Sequence, residues 1–419
     1  MASVVDVNSM AGSGDGFSLG EEAALEGQPP WDLIALLALA FIVFGWMALA
    51  VSYNPSHGAQ FAFEQFHRVA LHQFQTLPWD RFLHEMHTTY GPAFYALVGS
   101  LYLPTEGVRA VGLVMHLLST LVLLQVALRI GAPWQRAALL SAAFFASPFQ
   151  FGPALWGHPD ALATLLMMLG LGATMLAGRG AHRSVSIGLL PVTVLVHQAG
   201  AAVVAASCLD DLRLKRYADM ALKLLVTSAM LYLLYRVWDG FTPPSLQRAA
   251  QINTRAFLMA FTLLALGLHA WDRLNTRTRA VVLLARFALL WPLFTAVYAV
   301  SVPFAGGGFI FSRLDVLEDG LLPVAVVSPA LMAAVVAWSW TSLIGYRLST
   351  AQITLCAAVL ATGQALYLKD IDFFFWPLLL MRLVRWGSQR PNMRDALMRS
   401  AVVWTLVSLT LATLSYSQL

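Results

Sequence analysis

Residues 53–106 are rich in histidine and acidic side chains, the residue types that transfer protons and bind metals. Glu64, Asp80 and Glu85 could each act as a general base if a substrate hydroxyl came within hydrogen-bond reach. The plain alternative is a set of solvated loop acids. Asp80 would also serve as an N-cap before Arg81-Phe82-Leu83.

The pair His84 and His87 raises the question of a metal. Its sequence, His-Glu-Met-His, differs from the His-Glu-x-x-His pattern, in which both ligands lie on one face of a helix. No cysteine of residues 53–106 adds a ligand. We therefore predict no metal site. These histidines either form hydrogen bonds with a substrate or occur here by chance.

His197 lies within an otherwise apolar run. An ionisable side chain is costly in such a run and is by default a functional hypothesis. A packing histidine held by hydrogen bonds is the alternative.

The elements that would position these side chains are apolar helices. Of the 419 residues, 58% are hydrophobic and 11% are charged, whereas a soluble domain is about a quarter charged. Several apolar stretches approach the ~20 residues that a helix needs to cross hydrocarbon. This composition excludes a secreted disulfide scaffold and a nucleic-acid-binding domain, and it predicts an all-α, polytopic transmembrane bundle.

Hydropathy and turn residues predict about 11–13 spans. The pair around His197 is either two half-helices that meet near the outer surface or one helix. The predicted spans are 33–52, 107–130, 136–155, 159–178, 184–197, 199–211, 218–237, 255–271, 280–302, 322–342, 350–368, 371–386 and 399–416.

Basic residues predict the orientation. With the amino terminus inside, about two thirds of the 26 Lys and Arg residues fall on the inner side, as the positive-inside rule requires. Residues 1–31 contain no Lys or Arg, so we expect a disordered cytoplasmic tail and not a cleaved signal peptide. Residues 32–419 then form one transmembrane domain, with outer loops at 53–106 and 303–320.

Two pairs of residues complete these expectations. Asp370 and Asp372 are expected to face the outer water. Cys208 and Cys356 lie in or beside apolar segments and are expected to be buried packing thiols.

The first outer loop has a pattern of its own. Residues 59–74 repeat apolar positions at helical spacing, with Phe63, Phe66, Val69, Ala70 and Phe74 on one side and with Glu64, His67, Arg68 and His72 largely elsewhere. This predicts an amphipathic helix suited to the membrane interface. Residues 93–103 are apolar but too short to span, so we expect them to return along the membrane surface.

This loop resembles a known family. The elements Phe63-Glu64-Gln65-Phe66-His67, Trp79-Asp80 and Thr88-Thr89-Tyr90-Gly91-Pro92 are similar to the Asp-Glu-x-Phe-His, Trp-Asp and Thr-Thr-Pro-Pro motifs of the lipid-linked alpha-1,2-glucosyltransferases. These enzymes add the last glucose to the N-glycan precursor and belong to the GT-C superfamily of polyprenyl-phosphate-sugar transferases. The family's first acid is replaced here by Phe63.

Looser similarities follow in the same order along the chain. His158-Pro159-Asp160 is similar to the family's Tyr-Thr-Asp, and His197-Gln198-Ala199-Gly200 to its Arg-Gln-Thr-Asn. Asp372-Phe373-Phe374-Phe375-Trp376-Pro377 is similar to its Arg-Tyr-Phe-Ile-x-Pro. The resemblance therefore implies a GT-C-like fold for most of the chain.

The resemblance also implies a reaction and a set of roles. A carboxylate, Glu64 or alternatively Asp80, would take the proton of the acceptor hydroxyl. A cation would stabilise the departing lipid phosphate, for which Arg313 is the first candidate, before Lys369, Arg255 and His197. Snorkelling charges at the interface are the alternative for these cations. Further substrate-binding candidates are Gln198, His67, Thr88 and Thr89.

The expected function is transfer of a hexose, with glucose favoured, from a polyprenyl-phosphate sugar to an acceptor hydroxyl on the exoplasmic or lumenal side, with inversion. The lipid-linked sugar is the co-substrate, and no further cofactor is required. The expected partners are membrane lipid, this donor and a glycan or other hydroxyl acceptor, and no nucleic acid. We expect a multi-pass protein of a bacterial inner membrane, with the endoplasmic reticulum as the alternative. A secondary transporter or channel and a non-catalytic GT-C-like scaffold are the competing hypotheses.

Overall fold

The structure is a computed structural model that describes residues 59–176, 181–244, 254–269, 276–300, 347–362, 368–387 and 390–416, with a few isolated positions between 330 and 337. Within these ranges it is helical and contains no strand, which confirms the all-α prediction. The predicted tail 1–31, the spans 33–52 and 322–342 (apart from those isolated positions) and the outer loop 303–320 with Arg313 lie outside the described residues.

The helices follow the hydropathy blocks closely. The first outer loop contains α1, built from Ala59–Ala62, Phe63–His67 and Arg68–Thr76, then α2 (Trp79–Glu85) and α3 (Ala93–Gly99). The apolar helices are α4 (Thr105–Arg129), α5 (Trp134–Ala146), α6 (Pro148–Leu155), α7 (Pro159–Leu176), α8 (Ala181–Val196), α9 (Gly200–Arg213), α10 (Tyr217–Trp238), α11 (Thr254–His269), α12 (Thr276–Val300), α13 (Arg347–Ala361), α14 (Leu368–Trp386) and α15 (Pro391–Tyr416).

The described residues contain two helices that are long and apolar enough to cross a membrane, α4 and α10. The bent pair α5–α6 would make a third if it forms one span, and several other helices are apolar but shorter. The chain therefore has two or three candidate spans in its described part. The larger number of 11–13 stays a prediction.

One predicted span is broken. The predicted helix 136–155 is two helices, α5 and α6, that meet at an angle of 57°. Pro148 begins α6, and the residue before a proline is pushed out of the helical region. Ser147 accordingly adopts an extended ψ of 117°.

The region around His197 follows the two-helix alternative. Helix α8 ends at Val196 and α9 begins at Gly200, so His197 and Gln198 lie in the break between them. At Gly200 a Cβ would lie 2.6 Å from the side chain of Thr193. The missing side chain thus lets the start of α9 pack against the last turn of α8.

Helix α1 differs from the predicted amphipathic pattern in its middle. Phe63–His67 form a π turn, in which hydrogen bonds join residues five apart. An apolar face that is predicted from 3.6 residues per turn is therefore shifted around the helix beyond this wider turn. His67, predicted to lie off the apolar side, is buried, and Val69, predicted to lie on it, is exposed.

Asp372 is a second correction. It was expected to face the outer water, but it is fully buried. Helix α14 begins at Leu368, so Asp372 lies in its second turn and not in the corner before it. Four hydrogen-bond donors surround its carboxylate there, which makes the burial of this polar group tolerable. The two thiols behave as expected, since Cys208 and Cys356 are free and buried.

Candidate functional site

The π turn of α1 directs His67 into the protein. Its Nδ1 lies 2.7 Å from the hydroxyl of Tyr95 in α3, and that hydroxyl donates to Oγ1 of Thr88 at 3.1 Å. The Tyr95 hydroxyl can both donate and accept, so it can bridge the His67 ring and the Thr88 hydroxyl. A chain of hydrogen bonds therefore joins α1, the Thr88 segment and α3.

Asp160 lies at the start of α7 and collects groups from two other segments. The hydroxyl of Tyr90 donates to Oδ2 at 3.0 Å. Nε2 of His197 lies 3.6 Å from Oδ1, and Nδ1 of His158 lies 4.0 Å from Oδ2. The carboxylate thus connects the first outer loop with the break between α8 and α9.

Ring contacts join these groups into one cluster. The rings of His67 and His158 are 4.3 Å apart between centroids, and Tyr90 lies 5.1 Å from His67 and 4.7 Å from His197. Phe373 of α14 stacks on the His197 ring, with the two centroids 4.7 Å apart. We call the following residues the histidine–aspartate cluster: His67, Thr88, Tyr90, Tyr95, His158, Asp160 and His197.

Backbone packing holds the Tyr90 segment at the cluster. The N–H of Gly91 donates to the carbonyl of Val196 at 2.9 Å. A Cβ on Gly91 would lie 2.1 Å from the carbonyl oxygen of Leu195, which is closer than real Cβ contacts allow. Glycine at this position therefore permits the close approach that sets Tyr90 beside His197.

Burial is the largest cause of the pKa shifts of His67 and His197. It lowers the pKa of His67 well below the usual value, and His158, Lys369 and His197 lower it further. Burial also lowers the pKa of His197, although Asp160 opposes the shift. Both rings are consequently neutral at neutral pH. For Tyr90, burial and then Asp160 raise the pKa well above its usual value, which keeps its hydroxyl protonated.

Lys369 and Asp370 act on the cluster through charge. Lys369 lowers the pKa of both His67 and His197, and Asp370 raises the pKa of Tyr90. The start of α14 therefore lies within electrostatic range of the cluster. The role predicted for Lys369, stabilisation of the departing lipid phosphate, stays a prediction.

The predicted site residues divide into two groups. His67, Thr88 and His197 belong to the cluster, and Lys369 acts on it. Gln198 donates to the carbonyl of Phe241 at 3.3 Å, and Thr89 is exposed.

The two predicted bases lie outside the cluster, and two of the predicted cations are not among the described side chains. Glu64 lies in the same π turn as His67 but pairs with Arg68 at 2.9 Å. Asp80 is exposed in the first turn of α2, and its carbonyl contacts the His84 ring. Arg313 lies outside the described residues, as does the side chain of Arg255.

Tyr90, His158 and Asp160 belong to motifs that resemble the family, but no role was predicted for them or for Tyr95. The signal for Asp160 is the His-Pro-Asp sequence, because proline favours the first helical position and so places the acid that follows it in the first turn of α7. Among the described residues, no group of three or more His, Cys, Asp or Glu side chains is placed to hold a metal ion. His84 and His87 are both exposed.

The described part of the chain is thus all-helical, has two or three candidate membrane spans and buries a polar cluster at one end of its helices. Comparisons with protein-family models, with curated proteins and with solved structures find no match to this chain.

Proposed function

We propose that the protein is a membrane glycosyltransferase of the GT-C type, which transfers a hexose, with glucose favoured, from a polyprenyl-phosphate sugar to an acceptor hydroxyl. One observation carries the proposal. Segments that resemble the family's motifs are far apart in sequence, yet His67, Tyr90, Asp160 and His197 come from four of them and lie in contact.

The chemistry assigns a role to each group. Asp160 is now the best-placed base, because Tyr90 holds its carboxylate amid neutral rings, whereas Glu64 is paired and Asp80 is exposed. The acceptor oxygen would bond to the anomeric carbon while its proton passes to the carboxylate. The bond from that carbon to the phosphate oxygen would break, with its electron pair left on the lipid phosphate. Lys369 would stabilise the charge that develops there.

The experiment is a transfer assay on the full-length protein in lipid nanodiscs, with a panel of polyprenyl-phosphate sugars and hydroxyl acceptors. We expect release of polyprenyl phosphate with at least one donor. Asp160→Asn should lower kcat by about 10²–10⁴-fold, the usual contribution of a general base. Glu106→Gln, at an exposed acid in the first turn of α4, is the matched control and should keep the rate.

The variants Glu64→Gln and Asp80→Asn distinguish the possible bases. If only Glu64→Gln is inactive, the base is Glu64, as the family motif implies. Absence of turnover with every donor, or full turnover in all three carboxamide variants, would contradict the proposal.

A secondary transporter is the second candidate, and Asp372 is the observation that favours it. A buried carboxylate beside a broken helix is typical of ion-coupled transporters, and Asp372 accepts a hydrogen bond from Ser147 at the α5–α6 break. Substrate flux into reconstituted vesicles that depends on an ion gradient, without release of lipid phosphate, would favour this function over transfer.

A further inference from the structure

Asp372 is the centre of a buried hydrogen-bond network. Ser147 and Gln150 donate to its Oδ2 at 3.0 and 2.9 Å. The indoles of Trp376 and Trp404 donate to its Oδ1 at 3.2 and 2.6 Å. One carboxylate therefore joins the α5–α6 break, α14 and α15.

Two helices of this network, α6 and α14, lead to the histidine–aspartate cluster. Helix α6, which carries Gln150, ends three residues before His158. Gln150 also accepts a hydrogen bond from Thr164 at 3.2 Å, and Thr164 lies one turn after Asp160 in α7.

On α14 the connection is shorter still. Phe373, the neighbour of Asp372, stacks on His197, and Lys369 lies one turn earlier. On α14, the network residue Asp372 is thus followed directly by Phe373, which contacts the cluster.

We propose that Asp372 is a positioning residue for the cluster. Its carboxylate fixes the first turns of α14 against α6, and this sets Phe373 and Lys369 relative to His158, Asp160 and His197. This positioning does not depend on which reaction the protein catalyses. Its effect on catalysis rests on the proposed function.

The donors indicate which substitution should preserve the network. Indoles only donate, so Oδ1 must accept from both tryptophans, whereas a hydroxyl and an amide can each donate or accept. In Asp372→Asn the amide oxygen could still accept from Trp376 and Trp404. Its NH₂ group could donate to the hydroxyl of Ser147. If the amide of Gln150 rotated so that its oxygen faced this NH₂ group, the group could donate to Gln150 as well. Asp372→Ala removes every acceptor.

The test is histidine footprinting with diethyl pyrocarbonate on the full-length protein in nanodiscs, read by mass spectrometry. His67 and His158 are about 1% exposed and should be protected, while the exposed His84 and His87 give the reference rate. We expect Asp372→Ala to raise the reactivity of His67 and His158 at least fivefold relative to that reference. Asp372→Asn should stay within twofold of the unchanged protein.

Thr405→Val is the matched control, because Thr405 is buried on α15 and donates to the carbonyl of Ala143 at 2.9 Å. It should lower the melting temperature and leave the footprint unchanged. If Asp372→Ala does not fold, Ser147→Ala and Trp404→Phe, which each remove one donor, should give smaller increases in the same histidines.

Three results would overturn the proposal. The first is a folded Asp372→Ala protein with an unchanged footprint, and the second is unchanged histidines in both single-donor variants. In the third, Asp372→Asn behaves like Asp372→Ala, which would show that the charge is required and would favour an ion-binding role.

The transfer assay separates this failure from failure of the proposed function. Once a donor is found, Asp372→Asn should keep kcat and KM within about threefold, and Asp372→Ala should lower kcat/KM at least tenfold. If no donor is turned over, the proposed function fails, whereas the footprint still decides whether Asp372 positions the cluster.

Discussion

His67 illustrates how a polar ring can be buried at an acceptable cost. An unpaired buried polar group would cost free energy, but Nδ1 of His67 lies 2.7 Å from the Tyr95 hydroxyl, within hydrogen-bond distance. The charged form is opposed by burial, then by His158, Lys369 and His197, which together hold the pKa of His67 low. The folded protein therefore favours the neutral ring.

This preference predicts that stability falls on acidification. The unfolded chain takes up a proton as pH drops through about 6.5, while folded His67 does so only at its lower pKa. The unfolded state then binds more protons, so the free energy of unfolding decreases between these two values, by at most about 1.4 kcal/mol per pH unit for each such group. His67→Gln should reduce this slope in thermal unfolding from pH 8 to 5.

His84→Gln, at an exposed histidine, should leave the slope unchanged. Part of the slope should survive in His67→Gln because burial also lowers the pKa of His197. An identical pH dependence in His67→Gln and the unchanged protein would show that His67 is not held neutral.

The sequence identified some of these residues and not their assembly. His197 was singled out because an ionisable group is costly in an apolar run, and the structure places it 3.6 Å from Asp160. The contact between Tyr90 and Asp160 joins residues 70 positions apart. No local pattern encodes a contact between residues so far apart in sequence, so the pairing of Tyr90 with Asp160 could not be predicted.

At the scale of elements, hydropathy located the helices but not their irregularities. The predicted spans 107–130 and 159–178 became α4 and α7 with small shifts at their ends. The 57° bend was missed, although Pro148 marks its place. The π turn had no signal in the apolar pattern, because one wide turn changes which residues face inward without changing composition.

A substitution at Gly91 tests how closely the Tyr90 segment must approach α8. Gly91→Ala would place a Cβ 2.1 Å from the Leu195 oxygen, so the Tyr90 segment would have to move away from α8. We expect a lower melting temperature and, if transfer is observed, a loss of at least tenfold in kcat/KM. The cause would be displacement of Tyr90 from Asp160.

Gly188→Ala is the matched control, since it lies in α8 and nothing lies within 4 Å of its added Cβ. It should leave activity unchanged and raise stability by up to about 1 kcal/mol, because alanine favours a helix over glycine. Equal effects of the two substitutions would argue against a special approach at Gly91.

At the scale of the whole molecule, the two ends of the helices differ in chemistry. The ends that sequence assigns to the outer side meet at the histidine–aspartate cluster. The opposite ends carry the ion pairs Arg136–Asp395, Arg385–Asp210 and Lys223–Asp211. The ends that the sequence assigns to the inner side thus carry ion pairs between helices, whereas the opposite ends meet in a cluster of histidine and tyrosine rings around Asp160.

Cysteine labelling should show on which side of the membrane the cluster lies. In a background with Cys208→Ala and Cys356→Ala, His84→Cys in α2 and Arg213→Cys at the end of α9 each replace an exposed residue. A membrane-impermeant maleimide added to intact cells should label His84→Cys at once, and Arg213→Cys only after the membrane is permeabilised. The reason is that the predicted orientation places the loop 53–106 outside and the basic end of α9 inside. The reverse pattern would put Asp160 on the cytoplasmic side, where an exoplasmic acceptor could not reach it, and transfer to such an acceptor would then be excluded whatever the fate of the donor assay.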